Sequence, residues 1–251
     1  MQTLTTLIKH GKLRALMNNI LTKINSHHSG SDIGLYTFLN HYSYLLARKN
    51  PDLISGFDEI HCDGIVLCLF LRLIGIHKKR KSFDMTSLAP QIFNLAVLKG
   101  KSIYFIGGEP KIAQAAVDKI IKAYPQLRVA GIRHGFFVSS LERERDLKEI
   151  SLKNPDFVIA SMGTPYQEQF LVDLKKAGWR GCGYTSGGFF HQTAKAGLRY
   201  YPAWVDRFNL RWAFRIADEP KLLKRYTSDF IKFLVLFSYD AFLFKIKKHK
   251  T

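Results

Sequence analysis

Short apolar runs alternate with longer segments of helical period along most of this chain, and that rhythm narrows the available folds more than any single residue does. Residues 33–39 ("IGLYTFL"), 57–61 ("FDEIH"), 101–107 ("KSIYFIG"), 127–132 ("LRVAGI"), 156–163 ("DFVIASMG") and 181–187 ("GCGYTSG") read as strands. Helical patterns fall between and after them, over about 41–50, 64–75, 86–98, 110–123, 142–153 and 166–177. Alternation of this kind predicts a mostly parallel α/β sheet covered by helices on both faces, Rossmann-like in outline. Turn chemistry agrees: Pro125 and Asn154-Pro155 precede strands, and Pro110 occupies the first turn of a helix, where a missing N–H does no harm.

The rhythm stops near residue 195. From there to the end, aromatic and basic residues interleave and apolar residues thicken towards 233–244. The expected organisation is a Rossmann-like domain over 1–195 and a helical appendage over 196–251. With 251 residues, 47% of them hydrophobic, the chain can bury a large core, which excludes a disordered tail protein. Lys and Arg outnumber Asp and Glu by 38 to 20, for a formal net charge of +18, so the natural partners are anionic: phosphorylated substrates, an anionic membrane surface or nucleic acid.

Cys62, Cys68 and Cys182 are too few and too scattered for a disulfide framework or a zinc site. The first 24 residues are broken by Lys9, Lys12 and Arg14 and lack a signal peptide's apolar core, so a cytoplasmic location is expected. The stretch 230–250 ("FIKFLVLFSYDAFLFKIKKHK") is interrupted by Lys232 and Asp240, too short to span a bilayer but suited to lying in its interface. A helix simply packed on the core fits the same pattern.

In an open parallel sheet, ligands bind outside the carboxyl ends of the strands, so the loops there are the candidate site. Asp63-Gly64 follows the second strand, where the acid serves either as a helix cap or as a carboxylate presented to substrate. Gly107-Gly108 turns from the third strand into a helix, a geometry that suits backbone approach to phosphate and equally a purely structural tight turn. It is neither G-x-G-x-x-G nor a P-loop, so neither a nicotinamide cofactor nor ATP is signalled. After the fifth strand, "GTPYQEQ" (163–169) sets Gln167 and Glu168 in the first turn of a helix, placed to bond a base or ribose, or merely to complement the helix dipole.

Taken in order, "TFLN", "CDG", "KKRKSFD", "IGGEP", "YPQLRVAG", "GTPYQE", "GGFF", "RYYPAW", "LRWAFR" and "EP…RY" resemble the WecG/TagA/CpsF family of bacterial glycosyltransferases over about residues 33–226. The resemblance implies an inverting transferase that moves an N-acetylmannosamine-type, hexose or uronic acid unit. The implied donor is a UDP-sugar and the acceptor is linked to undecaprenyl diphosphate at the cytoplasmic leaflet, with no metal or other cofactor required. It implies Asp63 as general base, with Thr37 and Arg80 beside it in the catalytic set. Asn40, Gly107, Gly108, Gly163, Pro165, Gln167, Glu168, Gly187 and Gly188 are carried over as substrate-binding positions, and Arg215 and Arg225 as arginines closing over the donor diphosphate. A carboxylate at a helix start would be held charged and so be a weak base, which suffices when the proton moves late in a loose transfer. Three positions depart from the family pattern: His191 stands for an Asp, Arg211 for a Glu and Leu222 for an Arg. Two other readings stay open at this level, a non-catalytic helper of a polysaccharide transferase and a basic nucleic-acid-binding protein. The second lacks any RRM, KH or helix-turn-helix pattern, so no nucleic acid is expected. A second copy of the chain is compatible with everything above.

Overall fold

The computed structural model describes residues 33–248, together with Ile20, Leu21 and Ile24. The reading of the first 24 residues and of the closing lysines, Lys247 to Lys250, lies largely outside the described side chains. Six strands form one parallel sheet in the order β2-β1-β6-β5-β3-β4: β1 Gly34–Leu39, β2 Glu59–Cys62, β3 Ser102–Gly107, β4 Arg128–Arg133, β5 Phe157–Ser161 and β6 Cys182–Thr185. Each lies within two residues of its expected start. β1 and β5 are buried at every position, as strands covered on both faces must be.

Helices α1 (His41–Lys49), α2 (Pro51–Ser55), α3 (Ile65–Leu73), α4 (Ala89–Leu98), α5 (Pro110–Ala123), α6 (Ser140–Lys153), α7 (Tyr166–Lys176) and α8 (Phe189–Ala196) cover the sheet. α5 matches its expected span, with Pro110 in its first turn. α2 and α8 are additions: the first is a single turn after Pro51, and the second grows from the "GGFF" segment. The sequel is α9 (Ala203–Arg207), α10 (Arg211–Asp218), a 3-10 turn at Pro220–Leu222, α11 (Leu223–Tyr226) and α12 (Ser228–Lys248).

Phe83, Phe93, Phe105, Tyr184 and Phe189 pack on one sheet face, and Leu35, Val158, Phe170, Leu171 and Trp179 on the other. A third cluster joins Ile20, Leu21 and Ile24 to Tyr44, Leu67 and Leu71 and to Phe233 and Phe237 of α12. The last two are almost fully buried, so the inner face of this stretch is core, as the alternative of a helix packed on the body of the protein expects. Asp240 explains why that stretch tolerates an acid. The carboxylate accepts from Tyr44 Oη at 2.7 Å and pairs with Arg48 Nε at 3.0 Å, so α12 is fastened to α1. Burial raises its proton affinity, against the Arg48 and Tyr44 bonds. Among the described residues no helix is long and apolar enough to cross a membrane.

Candidate active site

Because every strand runs the same way, the ends of β2, β1, β6, β5 and β3 make one continuous rim. Asp63 closes β2, and its backbone N–H donates to the Leu39 carbonyl at 2.9 Å. The acid is not a helix cap. Gly64 holds the N-cap position of α3, and no side chain caps that helix. Gly64 is required because a Cβ there would come within 2.9 Å of the Asn40 Cβ.

The Asp63 carboxylate lies 3.8 Å from Arg80 Nη1 and keeps 39% of its side chain exposed. It sits low between protein walls yet remains open to water. Burial and the neighbouring Asp84 push its pKa up to about 6, opposed by Arg80, Arg211 and Arg215. This reverses the expectation of an acid held charged by a helix end: its surroundings bring it close to the range useful for a general base.

Asp84 is bound from several sides. Ser82 Oγ and Thr86 Oγ1 each donate to it at 2.6 Å, the Thr86 N–H donates at 2.8 Å, and Arg211 Nη1 pairs with it at 2.7 Å. Although burial works against ionisation, these contacts hold its carboxyl below its ordinary value. Arg211 also pairs with Asp206, reaches Thr86 Oγ1 and stacks 4.4 Å over the Tyr201 ring. A shallow hollow open to solvent, lined in part by Asp84, Thr86, Gln192 and Tyr201, adjoins this network.

Arg215 approaches the same region from α10. It pairs with Glu219 at 2.7 Å, while its Nε is buried with no partner among the described residues. A Cβ on Gly188 would stand 3.1 Å from Arg215 Nη1, so the glycine leaves the guanidinium its space. Arg225 is exposed and lies 4.3 Å over the Tyr42 ring, while its backbone carbonyl accepts from His41 Nε2 at 2.9 Å.

The remaining expected site residues divide into rim and interior. Asn40 caps α1, with Oδ1 accepting from the N–H groups of Tyr42 and Ser43. Thr37 and Glu168 are fully buried. Thr37 Oγ1 and Thr164 Oγ1 both donate to Glu168 Oε1 at 3.0 Å, and Thr185 Oγ1 donates to Thr37. Burial raises the Glu168 pKa against these bonds, and its Oε2 has no partner among the described residues. Gln167, also buried, donates to Glu168 and accepts the Gly187 N–H at 3.0 Å; Ser161 Oγ donates to the Gly187 carbonyl. Gly163, Pro165 and the Gln167–Glu168 pair thus form a loop and helix start behind the Gly187-Gly188 turn.

Gly107 and Gly108 close β3, four places from β2, and so do not meet Asp63. Gly107 has φ +143° and lies against the Ser161 backbone, where a Cβ would collide. Of the three departures, His191 is exposed on α8, Leu222 is buried and Arg211 is absorbed by Asp84. Sequence reasoning gave no role to Asp84, Tyr201 or Tyr226. The local signal for Asp84 was present in "SFDMT", where a short acid can bond the residues around it.

Fold and rim together define an open-sheet α/β protein, a class that binds ligands outside the strand carboxyl ends. The sequence profile of the glycosyl transferase WecG/TagA/CpsF family matches residues 1–247. A UDP-Gal:alpha-D-GlcNAc-diphosphoundecaprenol beta-1,4-galactosyltransferase of Shigella boydii is 38% identical over 205 residues, 81% of this chain and 85% of that protein. An N-acetylglucosaminyldiphosphoundecaprenol N-acetyl-beta-D-mannosaminyltransferase of Bacillus subtilis (strain 168) is 27% identical over 72% of this chain and 69% of its own length. The chain belongs to the WecG/TagA/CpsF family and is a glycosyltransferase.

Proposed function

We propose that the protein transfers a hexose or N-acetylhexosamine from a UDP-sugar to a sugar carried on undecaprenyl diphosphate, in surface polysaccharide synthesis, with inversion at the anomeric carbon. Galactose is the first donor sugar to test, and N-acetylglucosamine the first acceptor sugar, by analogy with the 38% identical relative. The observation that carries the reading is the Asp63 carboxylate at the rim, 3.8 Å from Arg80, with the Arg215 guanidinium set over the neighbouring Gly188 turn.

In this reading the acceptor hydroxyl oxygen bonds to the anomeric carbon as the bond from that carbon to the UDP oxygen breaks. UDP leaves with the electron pair, and the hydroxyl proton passes to Asp63. An acid whose pKa stands near 6 is ionised at neutral pH and close enough to it to accept a proton. Arg215, aided by Arg225, meets the charge growing on the leaving diphosphate, so neither a metal nor another cofactor is needed. In this reading Asn40 and the Gly187-Gly188 turn face the donor. Thr37, Gln167 and Glu168 act from behind by fixing that turn.

Residues 1–195 would supply the base and 196–251 the cover. The enzyme would work peripherally on the anionic cytoplasmic leaflet, where Leu69 and Leu73 of α3 and Ile231, Val235 and Phe242 of α12 expose apolar surface beside a basic chain. The test is a UDP-sugar panel against a short-chain prenyl-diphosphate-N-acetylglucosamine acceptor, with linkage analysis of the product and with EDTA present. The expected result is a β-linked disaccharide product at a rate EDTA does not change. Absence of transfer from every UDP-sugar would overturn the reading.

A further inference from the structure

The mechanism above uses Asp63, Arg80 and Arg215 but leaves one close-knit group of charges without a task. Asp84, in the loop after Arg80, and Arg211, at the start of α10, are 127 residues apart in sequence and 2.7 Å apart in space. Arg211 has little freedom to bind a substrate phosphate. Its Nη1 is held by Asp84, its Nη2 reaches Thr86, its Nε pairs with Asp206, and its plane rests over Tyr201. Arg215, one helical turn further along α10, is the opposite case, with a buried Nε that no described residue meets. The two arginines are therefore divided between holding and binding.

We infer that Arg211 is a positioning residue of the transferase reaction: by pairing with Asp84 it locks α10 to the Asp63 loop, seats Arg215 over Gly188 and shields the catalytic carboxylate from a second negative charge. The inference rests on the proposed role of Asp63. Its geometry is a bridge from the helix that carries Arg215 to the loop that follows Arg80. Its electrostatics follow from the groups around Asp63. These are Asp84, Arg80, Arg211 and Arg215, the rings of Tyr201 and Tyr226, and the thiols of Cys62 and Cys68. Asp84 favours the protonated acid and the three arginines favour the ionised one.

Removing Arg211 takes away a cation and leaves Asp84 uncompensated, so Asp63 holds its proton to higher pH. Removing the Asp84 charge does the reverse. The experiment is the pH dependence of kcat/KM for Arg211→Ala, Arg211→Lys and Asp84→Asn beside the unaltered enzyme. The expected acid limb moves up by about 0.5 to 1 pH unit in Arg211→Ala and down by a similar amount in Asp84→Asn. Arg211→Lys, which keeps the charge but not the fork, returns the limb to its original position while kcat/KM stays reduced.

A latch without electrostatic coupling would lower kcat/KM and leave all limbs in place, which overturns the inference. Should Arg211→Ala fold poorly, titration of the Asp63 carboxyl by carbon NMR in Asp84→Asn decides the matter. A midpoint below that of the unaltered protein supports the coupling, and an unchanged midpoint rejects it. Loss of the Asp63 role itself would show separately, as Asp63→Asn retaining full turnover.

Discussion

The two halves of the C-terminal segment reach the body of the protein by opposite means. α12 spends its apolar side chains on the core: Phe233 and Phe237 are buried against α1 and α3, and Asp240 is pinned beneath them by Arg48 and Tyr44. The preceding half, from Tyr200 to Tyr226, buries little beyond Val205 and Leu222 and leaves Trp204, Phe208, Trp212 and Leu223 exposed. It is joined to the body instead by ion pairs, Arg211 with Asp84 and Asp218 with Lys195, and is braced internally by Arg211 with Asp206 and by edge-on contacts among Tyr200, Tyr201 and Phe214. Burial of apolar area fixes a helix along its whole length, whereas the preceding half is joined to the body at separate points, the enclosed Arg211–Asp84 pair and the more exposed Lys195–Asp218 pair. α12 is anchored by its core face, and in the proposed mechanism the preceding half covers the donor.

Substitutions in the two halves should therefore separate stability from activity. The largest effect is expected from Asp240→Ala, which leaves Arg48 buried without its partner and should lower unfolding stability by about 3 to 5 kcal/mol. Chemical denaturation measures this, and a loss under 1 kcal/mol would dissolve the contrast. Arg215→Ala should do the reverse. kcat/KM should fall by about 100-fold, the scale of one lost charge-stabilising donor, with the melting temperature nearly unchanged. A large drop in melting temperature would make Arg215 part of the anchor. The mildest change is Val235→Ser on the outer face of α12, expected to alter stability by no more than about 0.5 kcal/mol while weakening sedimentation with anionic vesicles. Unaltered vesicle binding would remove that face from the membrane contact.

The same contrast explains what was legible in the sequence. Strands and helices of the sheet follow local periodicity, so β1 to β6 and α5 fall where the pattern puts them. Contacts between distant segments have no such signature. Asp240 reads as an interruption of an apolar run because its partners, Arg48 and Tyr44, lie nearly 200 residues away. Arg211 reads as a departure from a family pattern because Asp84 cannot be seen from it. Burial is what local sequence does not show for either acid. Asp63 reads as a helix cap or as a substrate-facing base held charged by a helix end, and is an acid of raised proton affinity at the rim; Glu168 reads as a first-turn residue placed to bond a base or ribose or to complement the helix dipole, and is enclosed with Thr37 and Gln167. Glu168→Ala should cost about 2 to 3 kcal/mol by orphaning those hydroxyl and amide groups, and Glu168→Gln distinctly less, as read by thermal unfolding.

In the proposed reaction the Asp63 carboxylate takes the acceptor's proton. Single-turnover kinetics of Asp63→Asn, with donor binding measured in parallel by calorimetry, tests that most directly. The account predicts that transfer slows by about 100- to 10,000-fold while the donor dissociation constant changes little, and that in the unaltered enzyme kcat/KM rises with pH through about 6 and then levels off. Transfer at the unaltered rate by a folded Asp63→Asn enzyme, with the same acid limb, would contradict it.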